Sequence, residues 1–303
     1  MNNDAYHRQA RLLLTILPII ARYPIFALKG GTAINFFIRD LPRLSVDIDL
    51  TYLPVNDRET ALTAINDALG EIKKDIERLI HNATVTPKKY EGRLLGLMIR
   101  SDDVLVKIEP NPVLRGAVYE PQLLQVAHRV RDMFKMSVQA QILATEDIYG
   151  GKICAALDRQ HPRDLFDIKL LLENEGVTDS IRRSFVVHLV SHDRPMSELL
   201  SPTFQDLKAI FENEFEGMTF VKVSLEELKA ARSDLIQAIR EGLTDTERQF
   251  ILSVKKREPQ WELLGLEGAD RLPAVKWKLL NLAKMDKKKH ASAIRKLEET
   301  LSH

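Results

Sequence analysis

The sequence predicts an α+β protein in two parts, and three observations carry that prediction. Between residues 83 and 109, three short segments alternate apolar and polar positions at strand spacing, broken by Glu91-Gly92 and Ser101-Asp102. From Thr145 onward nearly every segment repeats its apolar positions about every 3.6 residues. Helix starts in that second part carry capping boxes, Ser224 with Glu227 and Thr244 with Glu247. The first part therefore reads as mixed α and β and the second as all helical, with the division at 1–140 and 141–303.

Taken in order, residues 4–22 carry apolar positions at helical spacing and stop before Pro24. Ile25 to Leu28 is a short β-like run, Gly30-Gly31 a turn, and Thr32 to Arg39 an apolar helix that Leu41-Pro42 ends. Val46 to Leu53 reads as a strand and Asp57 to His81 as a long amphipathic helix with its charges on one face. The three strands over 83–90, 93–100 and 103–109 follow, and a further extended segment is expected around 129–143.

Composition narrows the function classes. At 303 residues, 45% hydrophobic and 29% charged, the chain can bury the cores of about two domains. A net charge of +1 means that any affinity for nucleic acid must come from a local patch. The single cysteine, Cys154, excludes an internal disulfide framework and suits a reducing compartment. The apolar run Leu12 to Ala21 is interrupted by Thr15 and Pro18 and is too short to span a bilayer. It also lacks the marks of a signal peptide, so a cytoplasmic protein without membrane contact is expected.

Two aspartates raise the chemical question. Residues i and i+2 of a strand point to the same side, so Asp47 and Asp49 project together while Val46, Ile48 and Leu50 face the core. Like charges that close repel unless a cation sits between them, and magnesium favours carboxylate oxygens. Gly30-Gly31 lies between a strand and a helix, where backbone N–H groups can approach phosphate. On the strand 103–109, Lys107 and Glu109 share a face. Should that strand pair beside Asp47 and Asp49, Glu109 completes a three-carboxylate site; read alone, it is an ordinary surface partner of a lysine.

Longer motifs surround these residues. Leu28-Lys-Gly-Gly-Thr-Ala33 and Arg43-Leu-Ser-Val-Asp-Ile-Asp49 resemble the opening motif of the MenT-like AbiEii/AbiGii nucleotidyltransferase toxin family. Glu146-Asp-Ile-Tyr-Gly-Gly-Lys152, Asp158-Arg159 and Arg163-Asp-Leu-Phe-Asp167 resemble its later motifs, and Leu272 to Asn281 also looks familial. Fifteen residues separate Gly31 from Asp47, more than in many polymerase-β-like nucleotidyltransferases. The resemblance implies such a nucleotidyltransferase domain with a mixed sheet, followed by a helical domain that brings Lys152 and Asp167 to the cleft. From the resemblance together with the faces described above, magnesium is expected at Asp47, Asp49 and Glu109, and an NTP at Gly30, Gly31, Thr32, Ser45, Lys152 and Arg159; the resemblance implies a donor that is often a pyrimidine nucleotide. The implied acceptor is the 3′ end of tRNA, whose aminoacylation is then blocked. The implied partner is a cognate antitoxin in a toxin–antitoxin or phage-defence pair, and Ser45 is a position where phosphorylation would block the enzyme.

On a helix from Glu146, Lys152 shares a face with Ala155, Ala156 and Arg159. That small-residue stripe would let the helix lie close to the sheet and deliver the ammonium to a phosphate. On the next helix Arg163, Asp164 and Asp167 fall on one side, which leaves three roles open to Asp167: orienting Lys152, orienting Arg159, or accepting the proton of the attacking hydroxyl. Two alternatives stand beside transfer to tRNA: the same chemistry on a small molecule or protein, and a non-catalytic nucleotide-binding module.

Other features are plainer. His188 and His192 stand at i, i+4 without the glutamate of a zinc-protease frame and read as helix-surface histidines. From Arg271 to the end there are nine lysines and arginines against three acids, which suits either an RNA backbone or a solvated face with Val275, Trp277 and Leu280 packed inward.

Overall fold

The computed structural model describes residues 2–302 and divides into two compact units. One runs to Ala144 and takes back the segment Glu216–Lys222; the other holds Thr145–Phe215 and the residues from Val223 onward.

The first unit opens with α1 (Asn2–Ile20), β1 (Phe26–Lys29) and a single turn of helix, α2 (Gly30–Ala33). The chain continues as a π-helical stretch, Ile34–Ile38, before β2 (Asp47–Tyr52) and α3 (Arg58–Leu79). Asp57 caps α3 by accepting from the Thr60 N–H at 2.9 Å. Then come β3 (Ala83–Tyr90), β4 (Arg93–Ser101), β5 (Val104–Pro110), β6 (Gln122–Gln125), α4 (His128–Phe134) and β7 (Gln139–Ile142). The extended segment expected over 129–143 is thus half helix. Val130 and Phe134, four apart, turn into the core there, and the chain becomes a strand only from Gln139.

The seven strands form one mixed sheet in the order β3-β4-β5-β2-β1-β7-β6. β2 lies antiparallel to β1 and parallel to β5, so the first and fifth strands flank the aspartate-bearing one. Its two faces differ as alternation requires. Ile48, Leu50, Leu97, Ile99, Val106 and Ile108 are each 0–1% exposed and build the core, against which α1 and α3 pack. Asp47, Asp49, Lys107 and Glu109 stand on the opposite face.

The fifteen residues between Gly31 and Asp47 are accounted for by the π-helical stretch and by a loop that the returning segment fastens. The Leu44 N–H donates to the Met218 carbonyl at 2.8 Å and the Phe220 N–H to the Pro42 carbonyl at 2.9 Å, while Arg43 bridges to Thr219. Arg129 lies over the Phe220 ring at 4.7 Å.

The second unit is helical throughout: α5 (Thr145–Arg159), α6 (Pro162–Glu173), α7 (Asp179–Ser191), α8 (Met196–Leu200), α9 (Lys208–Glu214), α10 (Leu225–Gly242), α11 (Asp245–Lys255), α12 (Pro273–Ala283) and α13 (Lys287–Leu301). Both expected capping boxes form, at Ser224 and Thr244. Glu247 does two tasks, accepting from the Thr244 N–H at 2.9 Å and from buried Arg182 at 2.8 Å. Within this unit α5 approaches α7 closely at Gly150, where a Cβ would lie 2.8 Å from the Phe185 nitrogen.

Helix α12 turns differently from the sequence expectation. Val275 is buried, but Trp277 and Leu280 are 51% and 54% exposed. Lys278 takes the inward position because its stem packs while its Nζ donates to the carbonyls of His192 and Arg194, the latter at 3.0 Å. Those carbonyls follow the end of α7, where a cation is favoured. Burial, reinforced by the charge of Lys255, lowers Lys278 to a pKa of about 8. Among the described residues no helix is long and apolar enough to cross a membrane.

Candidate functional site

The first unit gathers seven of the expected residues around the start of β2. Asp49 is the register partner of Lys29 on one side and of Glu109 on the other. Laterally paired residues point to the same face, so Lys29, Asp49 and Glu109 form a row across the sheet. Asp47 lies two residues back on that face, opposite Lys107.

Gly30 fits against this row. Its φ of +71° is a left-handed conformation that favours glycine, and a Cβ there would lie 2.4 Å from Asp49 Oδ2. The backbone can lie on the carboxylate only because the side chain is missing. Gly31 is similarly hemmed in: a Cβ would come within 2.7 Å of Arg43 Nη2 and 3.2 Å of Ser45 Oγ. Thr32 Oγ1 donates to the Asp47 carbonyl at 2.6 Å and sits 2.9 Å from Ser45 Oγ. Thr32, Arg43 and Ser45 are all buried, and the Ser45 hydroxyl is hydrogen-bonded to that of Thr32. No sequence signal marks a task for Arg43. Its guanidinium donates to the Leu44 carbonyl at 2.9 Å and packs under Gly31.

Glu109 is engaged with a lysine, though not Lys107. Its carboxylate accepts from Lys88 Nζ at 2.8 Å. Among the described residues no three histidine, cysteine, aspartate or glutamate side chains stand close enough together to hold a metal ion. The donor set is nonetheless of the hard-oxygen type that magnesium or manganese takes, three carboxylates on one sheet face.

The second unit holds the remaining residues in one cluster that is buried except for Arg159. Lys152 Nζ lies 2.8 Å from Asp164 Oδ1 and 3.1 Å from Asp167 Oδ2, and all three side chains are nearly inaccessible. Arg159 closes the group from the surface, its Nε 2.6 Å and its Nη2 3.1 Å from the two Asp164 oxygens. Burial alone would raise the Asp164 carboxyl, but Lys152 and Arg159 outweigh it and hold it well below the usual carboxylate range. Asp167 meets Lys152, and both Lys152 and Arg159 meet Asp164, a residue that spacing places on the right side without assigning it a task.

The corner between α5 and α6 sets this geometry. Gln160 stands there in a left-handed conformation, φ +50°, and is 1% exposed. Its amide donates to the Thr203 carbonyl at 2.8 Å, and its oxygen accepts from Arg232 at 2.9 Å and from the Gln205 N–H at 3.1 Å. Three hydrogen bonds offset the backbone strain. His161 then caps α6, Nδ1 accepting from the Arg163 N–H, which brings Asp164 and Asp167 beneath Lys152. His188 and His192 are both half-buried rather than on the surface, His188 against Gly151.

A model of one known family matches residues 11–279, most of the chain, and is described as nucleotidyl transferase AbiEii toxin, type IV toxin–antitoxin system. Among solved structures the chain is similar to MenT4, a nucleotidyltransferase toxin from Mycobacterium tuberculosis H37Rv. That match has a TM-score of 0.60 at 15% identity and covers 92% of this chain and 94% of the other, a likeness of fold. No curated protein sequence matches.

Proposed function

The chain belongs to the AbiEii family of nucleotidyltransferase toxins from type IV toxin–antitoxin systems, and from that premise we propose that it transfers a nucleoside monophosphate from an NTP to the 3′ end of tRNA in the cytoplasm, blocking aminoacylation. The observation that carries the reading is the row on β2 and β5: Asp49 beside Glu109, with Asp47 two residues away on the same face. Asp47, Asp49 and Glu109 are the residues that would hold magnesium. When bound, the ion would supply activation of the attacking hydroxyl and stabilisation of the leaving pyrophosphate.

The chain's own groups supply the rest. Gly30 lets the backbone lie against Asp49, and Thr32, bonded to the Asp47 carbonyl, fixes the start of the aspartate strand. In the second unit, Asp164 and Asp167 hold the Lys152 ammonium in one orientation, and Arg159, whose Nε and Nη2 are bonded to Asp164, is exposed enough for its charge to attract phosphate oxygens. In this reading Lys152 and Asp167 are catalytic, with Arg159 binding the nucleotide. An antitoxin is the partner that the family implies.

The test is incubation of the purified protein with labelled NTPs and total tRNA. Label in tRNA that is lost in Asp47→Ala and Asp49→Ala, with both variants folded by circular dichroism, supports the reading. Label that enters protein or a small molecule instead keeps the chemistry and refutes the acceptor. Absence of incorporation into every cellular fraction refutes the enzyme.

A further inference from the structure

The Lys88–Glu109 contact is longer in reach than a neighbour pair. Lys88 is on β3 and Glu109 on β5, with β4 between them. The lysine crosses that strand at Gly96, its own register partner. A Cβ at Gly96 would lie 3.7 Å from Glu109 Cγ and 3.8 Å from Lys88 Cβ, so a larger side chain at 96 would stand in the lysine's path. The same Cβ would meet the Ile108 carbonyl oxygen at 2.8 Å, so the strand spacing itself also favours glycine there. Lys88 thus occupies the flank of the carboxylate row on the side away from Asp49.

Three facts bear on what that contact does. Glu109 is aligned with Asp49 by backbone register, yet the carboxylates of Asp47, Asp49 and Glu109 do not converge into an ion cage. The carboxylate of Glu109 is instead drawn to Lys88 at 2.8 Å. The pair is partly exposed, 61% at the lysine and 38% at the glutamate, so it is cheap to open.

We propose that Lys88 is a positioning latch: it draws Glu109 toward β3 and competes with the divalent cation for its carboxylate, so that Glu109 joins Asp47 and Asp49 only when Lys88 releases it. The inference rests on the metal-binding reading of Glu109 given above. A partly exposed ion pair shifts such an equilibrium by no more than about five-fold, a size suited to tuning affinity rather than abolishing it. The latch makes the third carboxylate conditional, which a pair of fixed acids does not.

Manganese binding to the full chain, read by the disappearance of the free-ion paramagnetic resonance signal, tests this without any turnover. Lys88→Met is expected to tighten Mn2+ by about two- to five-fold and Glu109→Gln to weaken it, and in the Glu109→Gln background Lys88→Met should have no further effect. Lys107→Met, which removes a lysine from the same face opposite Asp47, reports what loss of positive charge does by itself. The latch is overturned if Lys88→Met leaves affinity unchanged or lowers it. It is equally overturned if the gain persists without Glu109, or is matched by Lys107→Met. Weaker binding in Glu109→Gln with no gain in Lys88→Met sinks the latch alone, whereas no change in Glu109→Gln removes the metal role of Glu109 as well.

Discussion

Replacing Lys152 by methionine separates a structural role from a chemical one. The variant keeps most of the stem's packing but leaves Asp164 and Asp167, 1% and 0% exposed at their side chains, without the ammonium between them. Removing one partner of a buried pair costs about 3–5 kcal/mol. The lower end applies because Asp164 keeps Arg159. With a denaturant slope of about 3 kcal/mol/M, a loss of about 3 kcal/mol lowers the urea midpoint by about 1 M. Acidity gives an independent sign. The folded-state pKa of Asp164 is depressed below its ordinary 3.8, so the stability it contributes is present above that value and is lost as pH falls through the folded one. In Lys152→Met the buried carboxylates no longer have that cation, and protonation relieves them. The gap between wild type and variant should therefore narrow as pH falls from about 7 toward about 4. Unfolding followed by far-ultraviolet circular dichroism measures both. A midpoint shift below about 0.2 M, or a gap that widens on acidification, refutes the view that Lys152 is held as the counter-ion of two buried acids. It follows that loss of toxicity in a Lys152 variant reports on catalysis only once its folding has been measured.

Three further outcomes are expected. Gly30→Ala would place a methyl group 2.4 Å from Asp49 Oδ2 at a φ of +71°, so Asp49 must move. With Asp49 as the proposed metal ligand, a displacement of about 1 Å is expected to lower nucleotidyl transfer by about a hundred-fold, measured on folded protein, and retained activity would show that the fit around Asp49 is loose. Lys278 has its folded pKa lowered from 10.5 to about 8 by burial. The unfolded chain therefore binds more protons between those values, and wild-type stability relative to Lys278→Met should rise with pH across that window and be flat below it. A stability difference that does not change with pH would show the amine to be well solvated. Trp277→Ala, at a position 51% exposed, should change unfolding stability by less than about 0.5 kcal/mol, and a larger loss would mean the indole is packed.

Much of the first unit was readable because the chemistry there is written in short-range patterns. The spacing of Asp47 and Asp49 fixed their shared face, and the alternation in 103–109 placed Glu109 and Lys107 together, which the parallel register of β2 and β5 then brought beside the aspartates. The partner of Glu109 was not readable, since Lys88 reaches it across a whole strand and only Gly96 hints at the passage. In the second unit, helical spacing put Asp164 and Asp167 on one side. The corner that turns them toward Lys152 depends on Gln160, whose three partners lie 43 to 72 residues away. On α12, periodicity could not tell which stripe is inward: Lys278 outcompetes Trp277 for the interior because three carbonyls beyond α7 offer its ammonium a place. The stretch 129–143 departs from its expected extended form for a related reason. A two-turn helix carries too few repeats for a period of about 3.6 to stand out from one of 2.

The return of residues 216–222 to the first unit bears on how the gene can be cut. A product ending at Ala144 retains every strand of the sheet, yet it lacks Met218, Thr219 and Phe220, which pin residues 42–44 just ahead of Asp47. Such a truncated product should fold its sheet and leave the approach to the aspartates untied. Supplying the heptapeptide in trans, or splicing it onto the shortened C-terminus through a flexible tether, is the repair that this connectivity suggests.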